Sequence, residues 1–164
     1  MDKQVRLFWI VTAATIGWLI LMRPFTPTNI VQFELAKTIE SAQHIMDAWG
    51  NEGMSKARMS IYLDFVFLFL YAWAIALGCK VSTAFSANPN LIKAGTLFSR
   101  MIWFASSCDL IENGAMLFTL SDVNELTVSM AFYFAVIKFS IVLLALLLIV
   151  LALAVGVFKF IIKD

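Results

Sequence analysis

Between Phe139 and Phe158 the chain carries no charged residue, and this run decides what the remainder can fold into. An uncharged apolar stretch of roughly 18 residues or more is the mark of a helix that crosses a bilayer. Of the 164 residues, 62% are hydrophobic and 14% charged, against about 45–50% and about 25% in soluble domains. Too few charges remain to coat a globule in water. The sequence reads as an integral membrane protein.

Three further apolar segments precede that run. The expected fold is all-α: an integral membrane four-helix bundle with residues 1–164 as a single transmembrane domain, and spans over about 5–22, 61–80, 95–120 and 129–160. Lys3 and Arg6 ahead of the first run imitate a secretory signal. Arg23-Pro24 then follows without a small-residue cleavage pattern, which reads as a retained anchor. At ~1.5 Å per residue the fourth span exceeds a ~30 Å hydrocarbon core, so it must tilt or project.

The long first extracytoplasmic loop has its own pattern. Val31, Leu35, Ile39, Ala42, Met46 and Trp49 recur at spacings of three and four, which predicts an additional amphipathic interfacial helix over about 28–49. Thr28 after Pro27 supplies its start and Gly50-Asn51 its stop. Lys37, Glu40, His44 and Asp47 take the opposite face, as expected of a helix lying on the membrane or across the mouth of the bundle. Ser86-Ala87-Asn88-Pro89-Asn90 reads as a connecting turn.

Orientation follows from the basic residues. Lys3, Arg6, Lys80, Lys93, Arg100, Lys159 and Lys163 fall on the side of the termini; Arg23, Lys37, Lys56 and Arg58 fall on the other. The positive-inside rule then places both termini in the cytoplasm, with a bacterial inner membrane as the expected location.

Several function classes drop out. A net charge of +1 gives nucleic acid nothing to bind. Cys79 and Cys108 form no CxxC pair, and His44 is the one histidine, which disfavours redox and zinc chemistry. There is no nucleophile elbow, phosphate loop or haem motif. No cofactor is specified by the sequence.

The polar residues of the third span carry the functional expectation. Ser106, Asp109, Glu112, Asn113 and Met116 share one helical face, which must turn towards protein because lipid does not solvate it. A lone Ser or Asn at such a place is ordinary glue between helices. Asp, Glu and Asn together point to a site, with Asp109 and Glu112 as acid and base and Asn113 orienting. Lys138 is their natural partner, at a comparable depth in the fourth span; the competing reading has it snorkel to the surface. Asp64 opens the second span as a boundary charge or as a third inward acid, and Tyr71 follows two turns deeper on the same face.

Glu34, beside Thr38 and Ser41 at the edge of the apolar stripe, is placed to look into the bundle mouth. Glu40 and His44 sit four apart and read as a surface pair. If Glu34, His44, Asp64, Asp109 and Glu112 converged they would offer carboxylate-rich metal ligation, but no metal is expected from their spacing. The five tryptophans read first as interface and packing residues.

Three functions compete. The favoured one is binding of, or acid–base chemistry on, a lipid-like amphiphile, with Asp109, Glu112 and Lys138 in the catalytic role and Asn113, Asp64, Glu34 and Tyr71 binding the ligand. The second is proton- or cation-coupled transport by a homo-oligomer. The third is a structural or accessory subunit whose charges lock it to a membrane partner. The outline of four spans with buried acids resembles that of several small membrane families, among them the sterol-isomerase-like four-helix domains. That likeness is of architecture and implies no residue correspondences.

Overall fold

Alternation of small and large apolar residues sets the architecture seen in the computed structural model, which describes residues 3–163. The side chain of Lys163, counted above in the charge balance, lies outside that description, as do residues 1, 2 and 164. In chain order the elements are α1 (Lys3–Met22), a 3-10 turn (Arg23–Phe25), α2 (Ile30–Glu34), α3 (Ile39–Ser86), α4 (Pro89–Thr119) and α5 (Glu125–Lys163). The described residues are overwhelmingly helical and contain no strand. Three segments are long and apolar enough to cross a membrane: Lys3–Phe25, Ile39–Ser86 and Glu125–Ile162. These features are those of a membrane protein.

The buried residues of α5 show how the helices meet. Ala131, Ala135, Lys138, Ile141, Ala145, Leu148 and Ala152 are buried at spacings of three and four, which is one stripe of a helix. Most are small. Large apolar residues such as Leu143, Leu147 and Val150 point outwards. Small residues inside and large ones outside are the packing pattern of helices in lipid, where backbones gain by close approach.

Helix α4 is built the opposite way round from a soluble amphipathic helix. Its inward stripe is Gly95, Ser99, Ile102, Ser106, Asp109, Asn113 and Met116, and its outward face carries Leu97, Phe104, Leu110 and Phe118. Lys93 and Arg100 near its start are exposed, whereas the polar groups of its second half, Ser106, Asp109, Glu112 and Asn113, are buried.

Helices α3, α4 and α5 pack on one another, whereas α1 joins the body through α3. Trp18 Nε1 donates to Leu63 O at 3.1 Å and Thr15 Oγ1 to Leu70 O at 3.2 Å, fixing α1 along α3. The turn between α3 and α4 is short. Ala87 takes a left-handed conformation (φ 48°), and Asn88 caps α4 by accepting from Asn90 N and Leu91 N. Lys159 Nζ donates to Ser86 O at 3.0 Å and Ala87 O at 3.1 Å, so α5 covers the carbonyl end of α3. At the other end Arg58 Nη2 donates to Leu120 O at 2.9 Å beyond the end of α4.

The segment read as one helix over 28–49 is divided. Helix α2 begins after Asn29 (φ 68°) and ends at Glu34; a new helix starts where the Thr38 side chain accepts from Ser41 N at 3.2 Å. The stripe is displaced as a result. Val31 and Leu35 are exposed, while Phe33, Ala36, Ala42 and Ile45 are buried against Met116, Leu120 and Val128. Gly50 is not a stop either. Its φ of 56° and ψ of −167° kink α3, and the helix resumes and runs on to Ser86. A left-handed φ is freely open to glycine, so one residue turns the chain from the roof into the body.

Candidate functional site

The buried face of α4 and the inward stripe of α5 place three charged side chains in one volume, and α2 adds a fourth. Asp109 and Glu112 are one helical turn apart on α4, and Lys138 meets both from α5. Its Nζ donates to Asp109 Oδ1 at 2.7 Å and to Glu112 Oε1 at 2.9 Å. Glu112 is fully buried, and its Oε2 also lies 2.9 Å from Nζ but without an aligned hydrogen bond. Glu34 comes down from α2, with Oε2 at 3.6 Å from the same ammonium. The Phe139 ring lies 4.9 Å from it. Lys138 does not snorkel: it is 7% exposed.

A second layer of hydrogen bonds reaches from α3. Tyr71 Oη donates to Asp109 Oδ2 at 2.8 Å, and Asn113 Nδ2 donates to Asp64 Oδ2 at 2.7 Å. Ser106 Oγ donates to Leu68 O at 3.2 Å, binding the same helix pair one turn deeper. Because Asp64 and Tyr71 are seven residues apart, about 10 Å along α3, the two bonds form rungs at different depths. Asp109 is thus held by a phenol on one oxygen and an ammonium on the other. Burial pushes the Glu34 carboxyl above the ordinary glutamate range; Lys138 pulls against this and Asp109 adds to it.

These groups border a cavity of about 400 Å³. Glu34, Asp64, Tyr71, Asp109, Asn113 and Lys138 supply most of its polar wall, the Thr26 and Ser60 hydroxyls, 3.3 Å apart, add to it, and the rest is apolar, from Leu19 and Met22 on α1 to Phe139 and Val142 on α5. Glu112 sits behind that wall. Helices α1 and α5 both line the cavity while reaching each other mainly through α3. They converge farther along, where a Cβ on Gly78 would meet Ile149 Cδ1 at 3.0 Å and Phe8 Cε2 at 3.2 Å.

The residues singled out in the sequence fall into two groups. Asp64, Tyr71, Asp109, Glu112, Asn113, Lys138 and Glu34 are brought together. Glu40 and His44 are exposed and joined by no hydrogen bond or ion pair. Among the described residues no three His, Cys, Asp or Glu side chains are arranged to hold a metal; His44 is exposed, and the Lys138 ammonium bridges Asp109 and Glu112. Trp73 and Trp103 face outwards, 45% and 44% exposed, and do not wall the cavity. The apolar lining was not legible beforehand: Met22, Phe67 and Val142 are ordinary residues on apolar segments, and only the packing of three helices makes them neighbours.

No protein-family model, curated protein or solved structure matches this chain.

Proposed function

We propose that this protein crosses the membrane four times, with both termini cytoplasmic, and binds a lipid-like amphiphile in the cavity beneath α2. Helix α4, third in chain order, is counted as a span in addition to the three long apolar segments. It is joined by short turns to α3 and α5 and packs along both, and its polar face is satisfied by protein instead of lipid. On that reading the termini and the 87–88 turn lie in the cytoplasm and α2 roofs the outer side.

The observation that carries the binding reading is the cavity of about 400 Å³ whose wall is mainly apolar, with a polar part formed by the acids, Tyr71, Asn113 and Lys138 and by the Thr26 and Ser60 hydroxyls. Such a chamber suits a molecule with a polar head and an apolar body. The gap between α1 and α5 gives it a way in from lipid. Asp109, Lys138 and Glu112 form a proton-holding group that acid–base chemistry on the head would use.

Transport by an oligomer fits less well. Beyond Tyr71 and Asp109 the buried face continues as Ile102, Ala105, Ile141, Ala145 and Cys79, with no buried charged residue among those described. Its hydroxyls, Ser106, Ser99, Ser82, Thr83 and Ser86, each donate to a backbone carbonyl. A role as an accessory subunit would make the acids mere pairing devices and would leave the cavity without purpose.

The test is extraction of the protein from its own membrane in mild detergent, followed by native mass spectrometry. Wild type should carry a saturable amphiphile that Val142→Trp, which fills the cavity, loses. Equal lipid content in both proteins would overturn the reading, and proton flux in liposomes would favour transport.

A further inference from the structure

We infer that the head group accepted by this cavity is an ammonium, carried on an apolar chain without an adjacent anion. The inference rests on the amphiphile-binding reading above and adds its chemical class.

Hydrogen-bond donors and acceptors around the cavity do not balance. Tyr71 Oη gives its proton to Asp109, Lys138 Nζ donates to Asp109 and Glu112, and an Asn113 amide N–H is held by Asp64. Most of that donor capacity is spent within the protein, with one N–H of Lys138 and one of Asn113 left over. The open acceptor capacity is larger. Asp64 receives one hydrogen bond, on Oδ2, which leaves Oδ1 open, and Glu34 stands at 3.6 Å from Nζ, beyond a hydrogen bond. Both line the cavity, and Lys138 is the one base that does.

The charges point the same way. Glu34, Asp64, Asp109 and Glu112 face a single Lys138 in a space walled by apolar side chains. Isolated negative charge is costly in such surroundings, so protons or a cation must offset it. Of the other nearby bases, Arg58 is occupied at the end of α4 and Lys37 lies over Phe132. An incoming ammonium would supply both the missing donors and the missing positive charge. A phosphate beside the amine would meet the same acids with no free base to receive it, which separates a simple long-chain amine from a zwitterionic lipid.

The experiment measures binding of four probes of matched chain to the full-length protein in nanodiscs of neutral lipid. The probes are dodecylammonium, dodecanol, dodecanoate and a lyso-ethanolamine phospholipid. Each is corrected by Val142→Trp, which reports non-specific partition. Dodecylammonium should bind roughly tenfold or more tighter than dodecanol, as expected when a charged donor meets carboxylates. Dodecanoate and the zwitterion should bind more weakly still. Asp64→Asn should bring dodecylammonium close to the level of dodecanol, with a much smaller effect on dodecanol itself. Glu34→Gln, on the roof outside the packed helices, should do so in part and serves if Asp64→Asn fails to fold.

Binding of dodecanol and dodecylammonium within twofold of each other, both lost in Val142→Trp, would overturn the ammonium and keep the cavity. Tightest binding by the zwitterion would overturn it equally. Failure of every probe to exceed Val142→Trp would remove the amphiphile-binding reading itself.

Discussion

Asp109 Oδ1 on α4 lies 2.7 Å from Lys138 Nζ on α5, and this contact ties the two helices at a point where both side chains are nearly inaccessible. Neither group is there for surface electrostatics. Removing Lys138 would leave Asp109, Glu112 and Glu34 facing one another with no cation. Breaking a buried pair by deleting one partner costs about 3–5 kcal/mol. Lys138→Met should therefore destabilise the folded protein by about that much in reversible SDS unfolding. Adding Asp109→Asn and Glu112→Gln should restore much of the loss, because the uncompensated charges then disappear. A triple variant no more stable than Lys138→Met would show that packing, not charge, is what Lys138 supplies.

Tyr71 tests the neighbouring rung. Its hydroxyl is the donor to Asp109 Oδ2, so Tyr71→Phe leaves a buried carboxylate oxygen short of one hydrogen bond. The expected cost is about 1–3 kcal/mol. The pair should be non-additive: in an Asp109→Asn background the same change should cost less, and equal costs in both backgrounds would show that the two residues are not coupled.

How much of this was legible beforehand depends on the kind of signal. The inward face of α4 was readable because Ser106, Asp109, Glu112, Asn113 and Met116 share a helical spacing that lipid would reject. The partnership with Lys138 required only comparable depth. The roof was different. The stripe from Val31 to Trp49 has helical period, but local chemistry cuts it: Thr38 accepts from Ser41 N and starts a new helix, and Asn29 takes a left-handed φ. Once the helix is cut, its two pieces turn independently, and Phe33 and Ala36 replace Val31 and Leu35 inside. Gly50 misled in the other direction, since a glycine that stops one helix also serves as a hinge within a longer one. The cavity had no sequence signature, because its apolar lining comes from residues far apart in the chain.

Gly95 marks a close approach of α3 and α4. A Cβ there would collide with Thr83 Oγ1 and come within 2.8 Å of Cys79 O. The second contact is to backbone, which does not swing away. Gly95→Ala should thus destabilise by roughly 1–3 kcal/mol, the usual range for overpacking, despite alanine's better helix propensity. Combining it with Thr83→Ala should recover part of the loss and no more. Full recovery would mean that the helices are free to separate at Cys79.

The crossing of α4 can be tested by labelling. The native thiols are a quiet background: Cys79 and Cys108 are 0% and 1% exposed. If α4 spans the bilayer, Ala87→Cys and Asp122→Cys lie on opposite sides. An impermeant maleimide added to right-side-out vesicles should label Asp122→Cys and spare Ala87→Cys until the membrane is opened. Labelling of both from one side would reduce the spans to those long and apolar enough by composition alone.

Glu34 should give stability a pH dependence of definite sign. Its carboxyl sits in the roof, half-buried near Lys138, Asp109, Glu112 and Asp64, and this desolvation raises its pKa above the ordinary 4.5. In the interval between the ordinary and the raised value, the folded protein holds a proton that the unfolded chain has released. Stability from this group is therefore full below 4.5 and is lost as the pH rises through the raised value. Other groups titrate in the same range, so the informative quantity is the difference between wild type and Glu34→Gln. Thermal unfolding across that interval should show wild type losing stability relative to Glu34→Gln as the pH rises. A wild type that gained on the variant instead would mean that Lys138 stabilises the Glu34 anion by more than burial penalises it.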